Sequence, residues 1–458
     1  MQPIRRHRVL AELKQLSALA TPIIAAQIAT SGMGLVDTLM AGNYNATTLA
    51  AVAVGNSIWL PIFLFMRGLM MAIVPSVAHL VGAGKTGLLA STVQQSLWIA
   101  VVAGFGALIL VRHAEIAFLW LEVTPAVALE ASRYLDAFSW SFPAMALYLA
   151  LSCYCEGRSQ TKPGMVFAFA GFLLNIPANY ALIYGGWGFP ELGAAGCGYA
   201  TALSAWLMLV CMGLYIALDN GHRSLGILAR LSRPQLALIA PLVRLGIPIG
   251  ISIFVEASIF SVIALLIGRL PTELIAGHQI ALNVSAITYM VPLSIGLAMT
   301  VRVGQAAGSG DFQQARRAAL TGIGLNTLLS SLSAVLLMLF SLQIVSLYSD
   351  NSAVLEVAAY LLLFAAAYQL PDALQVAAAS SLRGYKDTRV PMLIVLISYW
   401  VIALPLGYTL GLTDRITEAM GPAGFWIGLL TGLSTAALLL GWRLQRVFRR
   451  YRGHPLRM

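Results

Sequence analysis

The chain has 458 residues, of which 59% are hydrophobic and 10% charged, with a formal net charge of +10 and a mean hydropathy of +0.82. That composition leaves too little polar surface to cover a water-soluble globule, so the solvent for most of the chain is lipid. It excludes a sizeable soluble domain, and it excludes nucleic-acid binding as the reason for the charge, because the basic residues sit in short clusters between apolar runs.

At about 20 residues per span, the apolar runs between Leu16 and Leu440 predict twelve transmembrane helices. The first, 15–41, follows Arg5, Arg6 and Arg8 and extends too far, without a clear small-residue cleavage site, to be a signal peptide; we expect an uncleaved helix. It carries Asp37 toward its outer end. Asn45-Ala46-Thr47 is a formal glycosylation sequon in the next connection. Helix 49–80 contains Arg67. The turn after it, Gly82-Ala83-Gly84-Lys85-Thr86-Gly87, matches GxGxxG, but it joins two apolar helices instead of leaving a strand, and His79 stands where a P-loop needs glycine. Helices 91–111 and 131–155 follow, the latter with Asp136, then 163–184 with Asn175 and Asn179, and 194–217.

The longest connection, 218–237, precedes helices 238–266 with Glu256, 276–303, 318–346, 354–381 with Tyr368, Pro371 and Asp372, 390–411 and 421–446. Cys153, Cys155, Cys197 and Cys211 lie in apolar stretches without CxxC spacing and read as packing residues. No motif of a metalloenzyme or hydrolase appears, so we expect no enzyme and no cofactor.

The two sets of six helices repeat. At a shift of 226, Pro22 falls on Pro248, Gly42 on Gly268 and Gly84 on Gly310; two residues later in register, Pro143 falls on Pro371, Pro177 on Pro405, Gly193 on Gly421 and Gly196 on Gly424. The expected organisation is an all-α polytopic membrane protein of two pseudo-symmetric six-helix bundles. Its parts are an N-terminal lobe 1–217, an inter-lobe loop 218–237, a C-terminal lobe 238–446 and a basic tail 447–458. Parallel repeats of this kind belong to transporters, with a substrate path at or within the repeats. Of the 28 Lys and Arg, four (Arg112, Arg133, Arg269, Arg415) fall on one side and Arg67 within a helix, leaving 23 on the other, which the positive-inside rule makes cytoplasmic together with both termini.

Acids inside apolar helices cost about 2.5–3.5 kcal/mol each at mid-helix, so each needs a role or a partner. Asp37, Asp136, Glu256 and Asp372 are in that position, and Arg67 is the one intramembrane cation for them to pair with. None of the acids repeats: Asp37 aligns with Ile263, Glu256 with Thr30 and Asp372 with Ala144. Asn175 and Asn179, one turn apart, present two amides on one face, suited to a hard monovalent cation beside a carboxylate. Tyr368 lies one turn before Asp372, and Pro371 frees a backbone carbonyl that can help hold a cation. Tyr289 and the methionines read as packing.

Val36-Asp37-Thr38-Leu39-Met40-Ala41-Gly42, the segment VGQAAGSGDFQQARRA from Val303 to Ala318, and Pro371-Asp372-Ala373-Leu374-Gln375 leading into Arg383-Gly384-Tyr385-Lys386-Asp387-Thr388 closely resemble multidrug and toxic compound extrusion (MATE) transporters of the bacterial NorM type. The resemblance runs over essentially the whole chain, whereas the loop at 81–87 lacks the GxLxDRxGRR pattern of the major facilitators. It implies export of small cationic, drug-like compounds in exchange for inward Na⁺ or H⁺, by a monomer in the bacterial inner membrane. It places the family's carboxylates on Asp37, Glu256 and Asp372, its tyrosine on Tyr368 and its asparagines on Asn175 and Asn179, with Na⁺ expected at Asp37, Asn175 and Asn179 or at Glu256 and Asp372. A flippase of lipid-linked precursors is the alternative on a related fold; it would want several cavity cations, and Arg67 is the only clear one.

Overall fold

A computed structural model describes residues 2–114, 124–228 and 232–451. Arg230 and residues 452–458 of the expected tail lie outside the described residues. Among the described residues the chain is helical throughout, without a strand. The first half holds α1 (Gln2–Tyr44), α2 (Ala46–Met70), α3 (Ile73–Gly82), α4 (Leu89–Arg112), α5 (Pro125–Ser139), α6 (Ser141–Gly157), α7 (Lys162–Tyr184) and α8 (Ala194–Leu218). The second holds α9 (Leu236–Ile267), α10 (Thr272–Gly308), α11 (Phe312–Leu339), α12 (Ser352–Gly384), α13 (Arg389–Leu412) and α14 (Pro422–Tyr451). Among the described residues eleven helical spans are long and apolar enough to cross a membrane, and the bent pair α5–α6 makes a twelfth when taken as one span. Large apolar side chains stay exposed along them, such as Val102 (72%), Leu265 (72%) and Leu438 (76%), an outer surface that only lipid can cover.

Three prolines mark the places where these helices depart from the expected uninterrupted spans. A proline cannot donate to the carbonyl four residues back, and its ring crowds that carbonyl. Pro75 and Pro143 act this way on Met71 and Ser139, where α2 gives way to α3 and where α5 meets α6 at a bend of 40°. In α13, Pro405 follows a π-helical stretch at Ile397–Ala403, a wider turn of the kind that absorbs such a mismatch. At the other extreme, α1 begins at Gln2, well before the expected start at 15, because Pro3 sits in the first turn, where proline is tolerated, and no other proline or glycine precedes Pro22. Asn45 of the sequon caps α2, its Oδ1 accepting the Thr48 N–H at 2.6 Å.

The repeated glycines perform repeated tasks. Gly84 and Gly310 have φ of +68° and +81°, and Gly193 and Gly421 have +55° and +60°, a region that side chains disfavour. A Cβ on Gly196 would collide with the Leu182 carbonyl, and one on Gly424 with the Gly411 backbone, so each glycine lets its helix touch the preceding one.

Two compact units form, one of Thr21–Gly250 and the other of Met1–Ala20 with Ile251–Met458. The division thus falls within α1 and α9, next to Pro22 and Pro248, and not in the 218–237 connection. The reasons are local. The start of α9 belongs to the first unit because Gly246 and Gly250 allow it to lie directly on Phe65 and Leu69 of α2. The start of α1 belongs to the second unit because Glu12 accepts two hydrogen bonds from Arg302, at 2.8 and 2.9 Å, where both side chains are largely buried.

The connection itself is fastened to the first unit. Gln94 donates to the Ile227 carbonyl at 3.0 Å, and Gln95 donates to the Ser232 hydroxyl at 2.9 Å while accepting the Gln235 N–H at 2.7 Å. His222, fully buried, has the Arg158 guanidinium and the Tyr154 hydroxyl each 2.8 Å from its Nδ1. Burial and the Arg158 charge hold its imidazole below the usual range, which keeps the ring a neutral acceptor for them.

Candidate functional site

Each unit buries its own acidic group. In Thr21–Gly250, Asp37 of α1 is 7% exposed. Its Oδ1 accepts from the Asn179 amide at 2.7 Å and the Asn175 amide at 3.1 Å, and its Oδ2 accepts from the Thr201 hydroxyl at 2.7 Å. The amides are also joined, Asn179 donating to Asn175 Oδ1 at 3.0 Å. The i, i+4 spacing on α7 brings both onto Asp37, and α8 supplies Thr201 one helix further on. Three donors on one carboxylate offset part of the cost of burying it; among the described residues no ion pair involves Asp37. One polar atom is left over. Asn179 Oδ1 is buried with no hydrogen-bond partner, an orphan acceptor beside an anionic group. Rotating either amide by a half turn about its terminal bond would present oxygen instead of N–H. Asp37, the two asparagines and Thr201 could then offer the all-oxygen set that a hard monovalent cation requires.

In the other unit, Glu256 of α9 accepts from the Gln375 amide at 2.9 Å, and Gln375 accepts from the Tyr399 hydroxyl at 3.2 Å. Asp372, 7% exposed, lies within electrostatic reach of Glu256 and Tyr368. Arg383, at the end of α12, is the cation near Glu256, and Tyr289 joins the same cluster. Two carboxyls near one another in low dielectric cannot both be charged cheaply, so the pair favours an added cation or proton.

The structure therefore groups Asp37 with Asn175 and Asn179, and Glu256 with Asp372 and Tyr368. It leaves two of the candidate residues out. The Asp136 side chain is 57% exposed and lies 3.9 Å from Arg112, and it is not among the hydrogen-bond partners of Asp37. Arg67 serves none of the four acids singled out in the sequence; its acidic neighbour is Glu156, which also accepts from the Ser152 hydroxyl at 3.2 Å. Glu156 is missed from sequence because α6 extends two residues past the expected end at 155. Thr201, Gln375 and Tyr399 are missed because single polar residues in apolar helices are common and nothing local shows which way they face.

A model of the MatE family matches residues 22–181 and again 248–409, starting at the two prolines that open the internal repeat. The chain is 47% identical over 445 residues to multidrug resistance protein PmpM of Pseudomonas aeruginosa, covering 97% of this chain and 93% of that one. It is 44% identical over 439 residues to multidrug resistance protein MdtK of Proteus mirabilis, covering 95% and 96%. Among solved structures it is similar to the MATE transporter NorM-NG in complex with R6G and a monobody, with a TM-score of 0.78 and 34% identity over 95% of each chain. The eukaryotic MATE transporter AtDTX14 shares the fold, with a TM-score of 0.86 at 21% identity over 97% of this chain and 99% of that one.

Proposed function

The chain belongs to the MatE family, and from that premise we propose that it exports cationic, drug-like compounds in exchange for inward Na⁺ or H⁺. The observation that carries this reading is the pair of separate acidic groups, one per unit, each buried and lacking a salt-bridged cation among the described residues. A cation entering such a group cancels the charge that attracts a cationic compound, so the two occupants exclude each other and their gradients become coupled. Asp37, Asn175, Asn179 and Thr201 form one ion group, and Glu256, Asp372 and Tyr368 the other. The two repeats, expected as lobes 1–217 and 238–446 and dividing in the structure after Ala20 and Gly250, serve as the two moving halves.

Charge bookkeeping follows from having two groups. Exchanging one ion for one monovalent compound moves no net charge, whereas two ions per compound move one charge inward. That charge is worth about 2.3 kcal/mol per 100 mV, or about fifty-fold accumulation. The deciding experiment is efflux of R6G, the compound in the NorM-NG complex, and of ethidium from proteoliposomes under an isolated Na⁺ gradient, an isolated pH gradient and an imposed voltage. Efflux under one ion gradient is expected. Its absence under both, together with altered lipid-linked precursor levels in cells, would establish the flippase reading instead.

We place the chain in the bacterial inner membrane as a monomer, in keeping with its bacterial relatives, and put both termini and the 218–237 connection on the cytoplasmic side from the distribution of Lys and Arg. An impermeant thiol reagent added to intact cells should label a cysteine at Gly188 but reach one at Ser224 only after lysis, in a background lacking Cys211. The reverse pattern would invert the topology.

A further inference from the structure

The unit of Met1–Ala20 and Ile251–Met458 contains a buried titratable ring that this exchange does not use. His278 on α10 is 0% exposed, and Trp426 on α14 is 1% exposed. The Trp426 indole N–H donates to His278 Nδ1 at 3.2 Å. With Nδ1 accepting, the neutral imidazole carries its proton on Nε2, and Nε2 has no hydrogen-bond partner among the described residues. A buried ring that leaves half its hydrogen-bonding capacity unused is less stable than an aliphatic side chain of similar size. The polar contact with Trp426 is therefore what the imidazole contributes at this position.

Trp426 in turn meets Tyr368 edge to face, with ring centroids 5.7 Å apart and planes at 64°. Tyr368 stands one turn before Asp372 on α12, and its hydroxyl is held beside the Ser285 hydroxyl and near the Asp372 carboxyl. Packed rings transmit displacement because the core has no free volume to absorb it. A hydrogen bond that sets the rotation of the indole therefore also sets where the Tyr368 ring lies, and with it the phenol oxygen beside Asp372.

We propose that His278 is a positioning residue for the ion group at Glu256 and Asp372, acting through Trp426 and Tyr368. This rests on reading Asp372 as an ion-exchanging group. Outer partners that orient a ligand of a bound ion change its affinity by about 10–100-fold when removed. Losing the His278 acceptor is accordingly expected to raise the half-saturating concentration of the driving ion about tenfold, at the lower end of that range, without changing the affinity for the exported dye.

The test uses purified full-length protein in proteoliposomes, with initial rates of ethidium efflux measured against the concentration of the ion that drives it. Dye affinity is measured separately by fluorescence anisotropy. His278→Leu removes the acceptor, Trp426→Phe removes the donor but keeps an aromatic ring, and His278→Asn keeps an acceptor at the δ position. The expected result is a raised half-saturating concentration in His278→Leu and Trp426→Phe, no further change when the two are combined, and recovery in His278→Asn. If His278→Leu fails to reach the membrane, the contrast between Trp426→Phe and His278→Asn decides alone. Unchanged half-saturation in Trp426→Phe, or a fall in maximal rate or dye affinity with half-saturation unchanged, overturns the inference. Asp372→Asn is assayed in parallel: gradient-driven efflux by that variant would overturn the underlying reading instead.

Discussion

Asp37→Asn is expected to cut ion-driven dye efflux by about a hundredfold while leaving the yield and monodispersity of the purified protein at or above those of the unmodified chain. The first half follows from the geometry. Asp37 collects three donors on one carboxylate, and hydrogen bonds to a charged group are worth about 1.5–3 kcal/mol each. Removing the charge withdraws the attraction that an entering cation exchanges for, and a hundredfold corresponds to about 2.7 kcal/mol. The second half follows from the shape. Asparagine has nearly the same size, its Oδ1 can still accept from Asn175 and Asn179, and its Nδ2 can donate to the Thr201 oxygen. Loss of a buried charge makes insertion easier by up to about 2.5–3.5 kcal/mol. Efflux, yield and size-exclusion profile are measured on the same preparations. Near-normal efflux would show that Asp37 is structural, and a collapse of yield together with efflux would show that the hydrogen-bonded group holds α1, α7 and α8 together.

The second large effect separates the two carboxyls of the other unit. Asp372→Asn is expected to bring gradient-driven efflux to background with yield preserved, since no residue described here forms a salt bridge with Asp372. Glu256→Gln should also lose efflux, but with lower yield, because it leaves the Arg383 charge without its carboxylate neighbour. Breaking a direct buried ion pair costs about 3–5 kcal/mol; Glu256 and Arg383 are not in salt-bridge contact, so a smaller loss is expected. Combining Glu256→Gln with Arg383→Met should then restore yield but not efflux. Equal yields for Glu256→Gln and Asp372→Asn would show that Arg383 is neutralised by something other than Glu256.

Much of the fold is written locally. Hydropathy and length mark each span because every residue in lipid contributes its own transfer free energy, whatever it later touches. The repeat is visible because Gly84 and Gly310 take a backbone conformation that side chains disfavour, and Gly196 and Gly424 sit where close approach leaves no room for a Cβ. Asp37, Glu256 and Asp372 stand out by their cost alone, and the spacing of Asn175 and Asn179 puts them on one face of any helix. Helix ends and breaks were less legible: α6 runs on past 155 to Gly157 and α1 starts at Gln2, because hydropathy marks the span and not the polar turns that continue it.

What only the tertiary structure decided is which side chains meet across helices. That depends on the rotation of each helix about its axis and on its packing neighbours, which no single segment specifies. It brings Thr201 to Asp37 and Gln375 to Glu256, turns Asp136 toward Arg112, and gives Arg67 an acidic neighbour, Glu156, that the apolar pattern conceals. It also divides α1 and α9 between the two units, because Glu12 meets Arg302 on one side and Gly246 and Gly250 admit α2 on the other. These are contacts between residues far apart in the chain, and their free energy exists only once the helices have packed.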